Sequence, residues 1–145
     1  TAGSGNDTIA AGDDGGTVTA GAGDDAVSSG DGADTLDLGA GNDTVSSSGA
    51  GADTITGGAG NDTLWGGAGA DVFQFTQLVN TDFIRDFQSQ DVIEFLYEDG
   101  VDDISSEAVQ IQQTGGDTQI NWGGVELNID GYANFYFQDI RFTMI

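Results

Sequence analysis

The stretch LGAGNDTVS at residues 38–46 has glycine at its second and fourth places, aspartate at its sixth and an apolar residue at its eighth. The same nine-residue unit recurs on both sides of it. Upstream lie SGDGADTLD (29–37), AGAGDDAVS (20–28), AGDDGGTVT (11–19) and AGSGNDTIA (2–10). Downstream, after one extra residue at Ser47, come SGAGADTIT (48–56), GGAGNDTLW (57–65) and GGAGADVFQ (66–74). Aspartate holds the sixth place in seven of the eight units, at Asp7, Asp25, Asp34, Asp43, Asp53, Asp62 and Asp71. The eighth place is always apolar: Ile9, Val18, Val27, Leu36, Val45, Ile55, Leu64 and Phe73.

Each unit reads as a turn followed by a strand. The glycines permit backbone angles that side-chain-bearing residues avoid, so the first six residues form a tight turn. Thr44-Val45-Ser46 and its equivalents alternate polar, apolar and polar, which is the signature of a short half-buried strand. A strand that buries one side chain cannot stand alone, so the units must stack. The fifth place carries Asn6, Asp24, Asn42 and Asn61 in odd units but Ala33, Ala52 and Ala70 in even ones from the fourth onward. Alternation at twice the repeat length predicts two distinct edges.

This nonapeptide pattern resembles the calcium-binding repeat of the RTX (repeats-in-toxin) family. The resemblance implies an all-β parallel β-roll. Two repeats make one coil, alternate strands join two facing sheets, and the eighth-place residues meet between them. It also implies calcium in the turns, held by the sixth-place aspartates and by carbonyls of the turn glycines. Those glycines are Gly21 and Gly23, Gly30 and Gly32, Gly39 and Gly41, Gly49 and Gly51, and Gly58 and Gly60.

Stacked strands lie ~4.7–4.9 Å apart. Aspartates on successive coils at that separation repel by roughly 3–4 kcal/mol at an effective dielectric of ~20. Calcium binds oxygen at ~2.3–2.6 Å, so two ligands across one ion span about the same distance, whereas magnesium prefers ~2.0–2.1 Å. Pairing same-edge neighbours predicts five regular sites: Asp7–Asp25, Asp25–Asp43, Asp43–Asp62, Asp34–Asp53 and Asp53–Asp71. The second unit has Gly16 at the aspartate place and Asp13 and Asp14 earlier, so its site is either missing or rebuilt. Ser47 is expected to form a local bulge.

Composition narrows the chemistry further. The 145 residues include 25 acidic and 2 basic ones, a formal net charge of −23, with no histidine, cysteine or proline. Both cations are arginine, Arg85 and Arg141. Ser-His-Asp, thiol and Schiff-base catalysis are excluded, as are disulfides and zinc sites built on nitrogen or sulfur. The charge disfavours nucleic acid and anionic membranes, and no apolar run reaches the ~20 residues of a membrane span. What survives is oxygen chemistry toward hard cations. With no N-terminal signal peptide and no initiator methionine at Thr1, the chain is expected to be part of a longer protein.

A composition shift near residue 74 divides the expected β-roll (1–74) from a capping β segment (75–145). Aromatic residues begin at Trp65, and Phe73-Gln74-Phe75 is placed to close the core. Strands are expected at 82–87, 91–95, 109–113, 118–122 and 125–129, the last three forming an antiparallel cap. A tight hairpin is expected at Gly123-Gly124 and a looser one at Thr114 to Asp117. GADVFxF followed by DxIxDFxxxxDxIxF resembles the segment after the last repeat in serralysin-type proteases. That resemblance makes Asp86 and Asp91 candidates for one further calcium site, with a plain solvated turn as the alternative. It also implies that the apolar terminus after Asp139 serves as a type I secretion signal, whether or not it is also the last strand of the cap.

The functional expectation is a non-catalytic, calcium-dependent folding, stabilisation and secretion module of a larger protein exported by a Gram-negative bacterium. Its partners would be calcium, the type I secretion apparatus and an upstream domain. The alternative is an ice-, surface- or polysaccharide-binding solenoid. Outward threonines (Thr17, Thr19, Thr35, Thr54, Thr56) and cap aromatics (Trp122, Tyr132, Tyr136) are its candidate contacts. Against it, threonine favours strands whatever the function, and the third turn place shows no threonine ladder. Carboxylate-only glycoside hydrolysis is disfavoured because no catalytic pair can be singled out.

Overall fold

The computed structural model describes residues 1–47, 49–76, 80–97, 110–122, 125–132, 135 and 137–145. Each nonapeptide yields one strand. Odd units give β1 (Thr8–Ala10), β3 (Ala26–Ser29), β5 (Thr44–Ser47) and β7 (Thr63–Trp65). Even units give β2 (Thr17–Ala22), β4 (Thr35–Ala40), β6 (Thr54–Thr56) and β8 (Val72–Thr76). Odd strands pair in parallel only with odd ones and even with even, so two repeats complete one coil. The protein is an all-β parallel solenoid of two sheets with antiparallel strands near its C-terminus.

The eighth-place residues stack in register because every coil repeats the same turn. One column runs Ile9, Val27, Val45, Leu64, and the facing column runs Val18, Leu36, Ile55, Phe73. All but Ile9 are buried. Ala20 and Leu38 add a second inward position on β2 and β4. Ser47 pairs with Ser29 inside β5, and residue 48, where a bulge would follow, lies outside the described residues.

The parallel stack continues past residue 74. β9 (Asn80–Ile84) adds to β7, and β10 (Val92–Tyr97) adds to β8. Ile84 and Ile93 extend the two apolar columns. β9 stops at Ile84, so the strand expected over 82–87 turns away at Arg85 and Asp86. β13 (Val125–Ile129) then pairs in parallel with β9, and β14 (Ile140–Met144), which follows a 3-10 turn at Phe137–Asp139, pairs in parallel with β10. Among the described residues, antiparallel pairing is confined to β11 (Gln110–Thr114), β12 (Asp117–Trp122) and β13. Val109 and the Gly123–Gly124 connection lie outside the described residues. Between Thr114 and Asp117 the hairpin is tight, not loose. Gly115 and Gly116 have φ of 66° and 107°, positive at both central residues as a two-residue turn requires.

The core is not closed at Phe73–Phe75. Both are buried, but they pack onward. Phe75 meets Phe95 at 6.0 Å between ring centroids, and Phe95 meets Trp122 at 4.8 Å and Phe142 at 5.6 Å. Phe87 packs against Phe73, Tyr132 and Phe135. Trp122 is only 2% exposed and Tyr132 is half-buried, so these two candidates for a binding platform belong to the closing core. Tyr136 lies outside the described residues. Among the described residues, no helix is long and apolar enough to cross a membrane.

Candidate metal centre

The sixth-place aspartates form two ladders, one along each edge of the roll. On the odd edge the backbone N–H of Asp7 donates to Oδ1 of Asp25 at 2.8 Å, that of Asp25 to Asp43 at 2.7 Å, and that of Asp43 to Asp62 at 2.9 Å. On the even edge Asp34 donates to Asp53 and Asp53 to Asp71, both at 2.9 Å. All five expected pairs are therefore neighbours on successive coils. Each such bond consumes one carboxylate oxygen. The second oxygen, Oδ2, is buried without a hydrogen-bond partner in Asp25, Asp43, Asp62 and Asp71. Burying an ionised carboxylate with an unsatisfied oxygen is costly unless a cation takes it up.

Neither arginine is available to do so. Arg85 pairs with Asp130 and stacks over the Phe83 ring, and Arg141 pairs with Glu94 at 3.6 Å. Burial therefore pushes the Asp62 and Asp71 carboxyls up to about 6. Backbone N–H groups oppose the shift, and neighbouring carboxylates add to it. Burial also raises Asp34, Asp43 and Asp91. Glu94 moves the other way. Hydrogen bonds from Thr143 and Gln74 and the charge of Arg141 lower its pKa despite burial.

The turn glycines allow the coils to approach until carbonyls sit where side chains would stand. A Cβ on Gly39, whose φ is 97°, would fall 2.0 Å from the Gly21 carbonyl oxygen. Gly58 stacks on Gly39 in the same way, and Gly23, Gly41 and Gly60 form a parallel row. On the even edge Gly49 stacks on Gly30 and Gly51 on Gly32. Among the described residues no three carboxylates converge as a metal-holding group. An ion in these turns would draw on paired carboxylates and stacked carbonyls, an oxygen set suited to calcium. The orphaned Oδ2 atoms and the cradle that a Cβ would fill both fit that ion.

The fifth-place alternation has a structural cause. Asn6 Oδ1 accepts the Asp24 N–H at 2.9 Å, Asp24 Oδ1 that of Asn42 at 2.8 Å, and Asn42 Oδ1 that of Asn61 at 2.9 Å. This exposed ladder flanks the buried one on the odd edge and runs in the opposite direction. The even edge carries exposed alanines at Ala33, Ala52 and Ala70. In the second repeat Gly16 supplies no carboxylate, and both oxygens of Asp34 are left buried and unpartnered. Asp13 lies against Gly30, where a Cβ would come within 2.5 Å of its Oδ1.

Asp86 and Asp91 sit at the eighth turn. Asp86 accepts the N–H groups of Gly66 and Gly67, both at 2.9 Å. Asp91 accepts those of Asp71 at 3.1 Å and Gln88 at 2.7 Å. Asp91 thus continues the even ladder, with a backbone donor on each of its oxygens. The residue that sequence reasoning missed is Asp82. It accepts the Asp62 N–H at 2.9 Å, is fully buried, and burial, with the Asp62 charge adding, pushes its carboxyl up to about 7. Its signal was present, because Asp82 and Asp91 are nine residues apart and each is followed two places later by isoleucine.

A stack of glycine turns lined by aspartates, with a buried unpartnered oxygen at Asp25, Asp43, Asp62 and Asp71, defines a calcium-binding β-roll. The model of the RTX calcium-binding nonapeptide repeat matches residues 1–15, 11–45 and 47–74, half of the chain. The chain belongs to that family, and the family binds calcium. A comparison with curated proteins finds no significant match. Among solved structures, the extracellular lipase LipA of Serratia marcescens is similar over 96% of this chain, with a TM-score of 0.60 at 14% identity. This chain spans 38% of that lipase. The AlgE6R2 subunit of the Azotobacter vinelandii mannuronan C5-epimerase is similar with a TM-score of 0.52 at 25% identity, over 92% of this chain and 91% of that one.

Proposed function

We propose that the chain is a non-catalytic module that folds on calcium and stabilises a larger exported bacterial protein. Its ions would be held between stacked turns by Asp7, Asp25, Asp34, Asp43, Asp53, Asp62 and Asp71, with oxygens of the turn glycines completing the shell. The observation that carries this reading is the row of buried Oδ2 atoms without partners at Asp25, Asp43, Asp62 and Asp71. Calcium, when bound, supplies the positive charge that these carboxylates lack within the protein. The protein's own residues do the rest. Oδ1 of Asp25, Asp43, Asp53, Asp62 and Asp71 fixes the carboxylate against the preceding coil, and the glycines bring carbonyls close enough to share an ion.

A polyanion of net charge −23 resists packing where free calcium is scarce and stays threadable for export. It then folds where calcium is abundant. The C-terminal β14, which adds to the sheet beside β10, is the segment we assign to recognition by a type I apparatus. The test is a reporter fused upstream of residues 1–145 and co-expressed with such an apparatus. The proposal expects reporter in the medium, folded only when calcium is present, and loss of export when residues 137–145 are removed. Retention of the intact fusion in the cell would contradict it.

A further inference from the structure

The two edges of the roll are built differently. On the odd edge the third-place residues Ser4, Ala22, Ala40 and Ala59 continue the sheet through the turn, bridging each coil to the next in parallel. Backbone bonds close these turns. The Gly23 N–H donates to the Ala40 carbonyl at 2.7 Å, that of Gly41 to Ala59 at 2.8 Å, and that of Ala59 to Gly39 at 2.8 Å. The odd-turn glycines Gly21, Gly23, Gly39, Gly41, Gly58 and Gly60 all have φ between 95° and 140°. On the even edge Gly30, Gly32, Gly49 and Gly51 do not enter that region. There, among the described residues, the Ala68 N–H donates to the Gly49 carbonyl at 3.0 Å and no other backbone bond joins the second to fourth places of successive turns.

The side chains repeat the difference. Each odd step carries two side-chain bonds to backbone, running in opposite directions. Asp43 Oδ1 reaches back to the Asp25 N–H at 2.7 Å, and Asn42 Oδ1 reaches forward to the Asn61 N–H at 2.9 Å. The forward ladder runs through the exposed Asn6, Asp24, Asn42 and Asn61 and ends on the Thr81 N–H at 2.8 Å. Even steps keep the carboxylate bond but have alanine in the fifth place, at Ala33, Ala52 and Ala70. The odd edge therefore has a second set of ties, made by side chains other than the carboxylates that would hold the ion.

We infer that Asn6, Asp24, Asn42 and Asn61 are positioning residues that hold the odd turns at coil spacing independently of the ion, so that the odd edge takes up calcium before the even edge. The inference rests on the reading of the repeat turns as calcium sites. A site whose backbone is already ordered binds its ion without the cost of ordering it, whereas the even turns meet that cost on binding. The β-structure forms as the odd edge fills, and the even turns close on it as calcium rises. Asp24 does with a carboxylate oxygen what its neighbours do with an amide oxygen, so the place requires an acceptor and not an amide nitrogen.

The test is amide hydrogen exchange of residues 1–145 across a calcium titration. It is read at the Asp25 and Asp43 N–H groups on the odd edge and at those of Asp34 and Asp53 on the even edge. The inference expects the odd pair to gain protection at a calcium concentration about fivefold or more below the even pair, the effect of about one hydrogen bond per step. Asn42→Ala should move the odd midpoint up and narrow the gap, while Asn42→Asp, which keeps an acceptor, should preserve it. A purely structural role would raise both midpoints and leave the gap intact. One shared midpoint in the wild type, a gap unchanged in Asn42→Ala, or a gap lost equally in Asn42→Asp would overturn the inference. Should Asn42→Ala fail to fold at saturating calcium, the wild-type order of protection decides alone. Protection that does not depend on calcium at any of the four groups would overturn the proposed function itself, a different result from four groups protected together by calcium.

Discussion

The backbone N–H of Asp25 donates to Oδ1 of Asp43 at 2.7 Å, eighteen residues on, while Oδ2 of each carboxylate is buried without a hydrogen-bond partner. One oxygen of each aspartate thus builds the stack and the other opposes it. The same relationship recurs at Asp62 on this edge and at Asp71 on the other.

Asp43→Asn keeps a side-chain oxygen able to accept the Asp25 N–H but removes one of the buried charges. Asp43 stands in two of the proposed sites, so calcium affinity should fall about tenfold or more at both. In chelator the direction reverses, because the variant has less buried charge to repel its neighbours. In calcium the Tm should fall, whereas in chelator at about pH 5, where the metal-free fold gains structure, the folded fraction by circular dichroism should match or exceed that of wild type. A loss in both conditions would contradict the charge argument.

The metal-free fold should strengthen in mild acid. Burial pushes Asp62 and Asp71 up to about 6 and Asp82 up to about 7, above the ordinary value of 3.8. The folded chain therefore holds protons more tightly than the unfolded one, and folding takes protons up. This stability is fully present below the unfolded pKa and is lost as pH rises through about 6 to 7. In chelator, folded fraction by circular dichroism should rise as pH falls from about 8 to about 5. With limiting calcium, acid should raise the calcium midpoint, because protons and metal compete for the same oxygens. A chelated protein that loses structure on mild acidification would speak against buried, unpaired carboxylates.

Gly39→Ala and Gly115→Ala separate coil contact from backbone strain. Both glycines have positive φ, but a Cβ on Gly39 meets the Gly21 carbonyl, whereas one on Gly115 meets nothing within 4 Å. Gly115→Ala should cost about 1–2 kcal/mol, the ordinary left-handed penalty. Gly39→Ala should cost several times more, or abolish the calcium-induced fold. Comparable chemical-denaturation midpoints for the two variants would refute the close stacking of coils.

Phe142→Ala tests the closing core. Phe142 stacks on Phe95 at 5.6 Å and meets Trp122 edge-on at 5.6 Å. Its truncation should cost about 2–4 kcal/mol, near the range for large core aromatics because the ring is only partly buried. Trp122 emission should move toward the red while the calcium count of the repeat turns stays unchanged. Wild-type emission from Trp122 would place the closure elsewhere.

Residues such as Asp43, Val45 and Leu64 were legible because a period of nine, interrupted once by the extra residue at Ser47, forces them onto one edge or into one column. Asn42 and Ala52 revealed the two edges through the same arithmetic. Asp82 was hidden by a spacing of eleven residues from Asp71 and by a turn without glycine, although the period resumes at Asp91. The parallel return of β13 onto β9 and of β14 onto β10 leaves no comparable trace. A strand's alternation shows which face is buried but not which partner it meets or in which direction. Gly115-Gly116 was misread as the looser turn because Gly123-Gly124 offers the same chemistry nearby.

The most direct test of the account is far-ultraviolet circular dichroism of residues 1–145 at neutral pH, first in excess chelator and then across a calcium titration. The account predicts a disordered spectrum in chelator and a cooperative gain of β-structure with calcium, reversed when chelator is restored. Unchanged β-structure in excess chelator would contradict it.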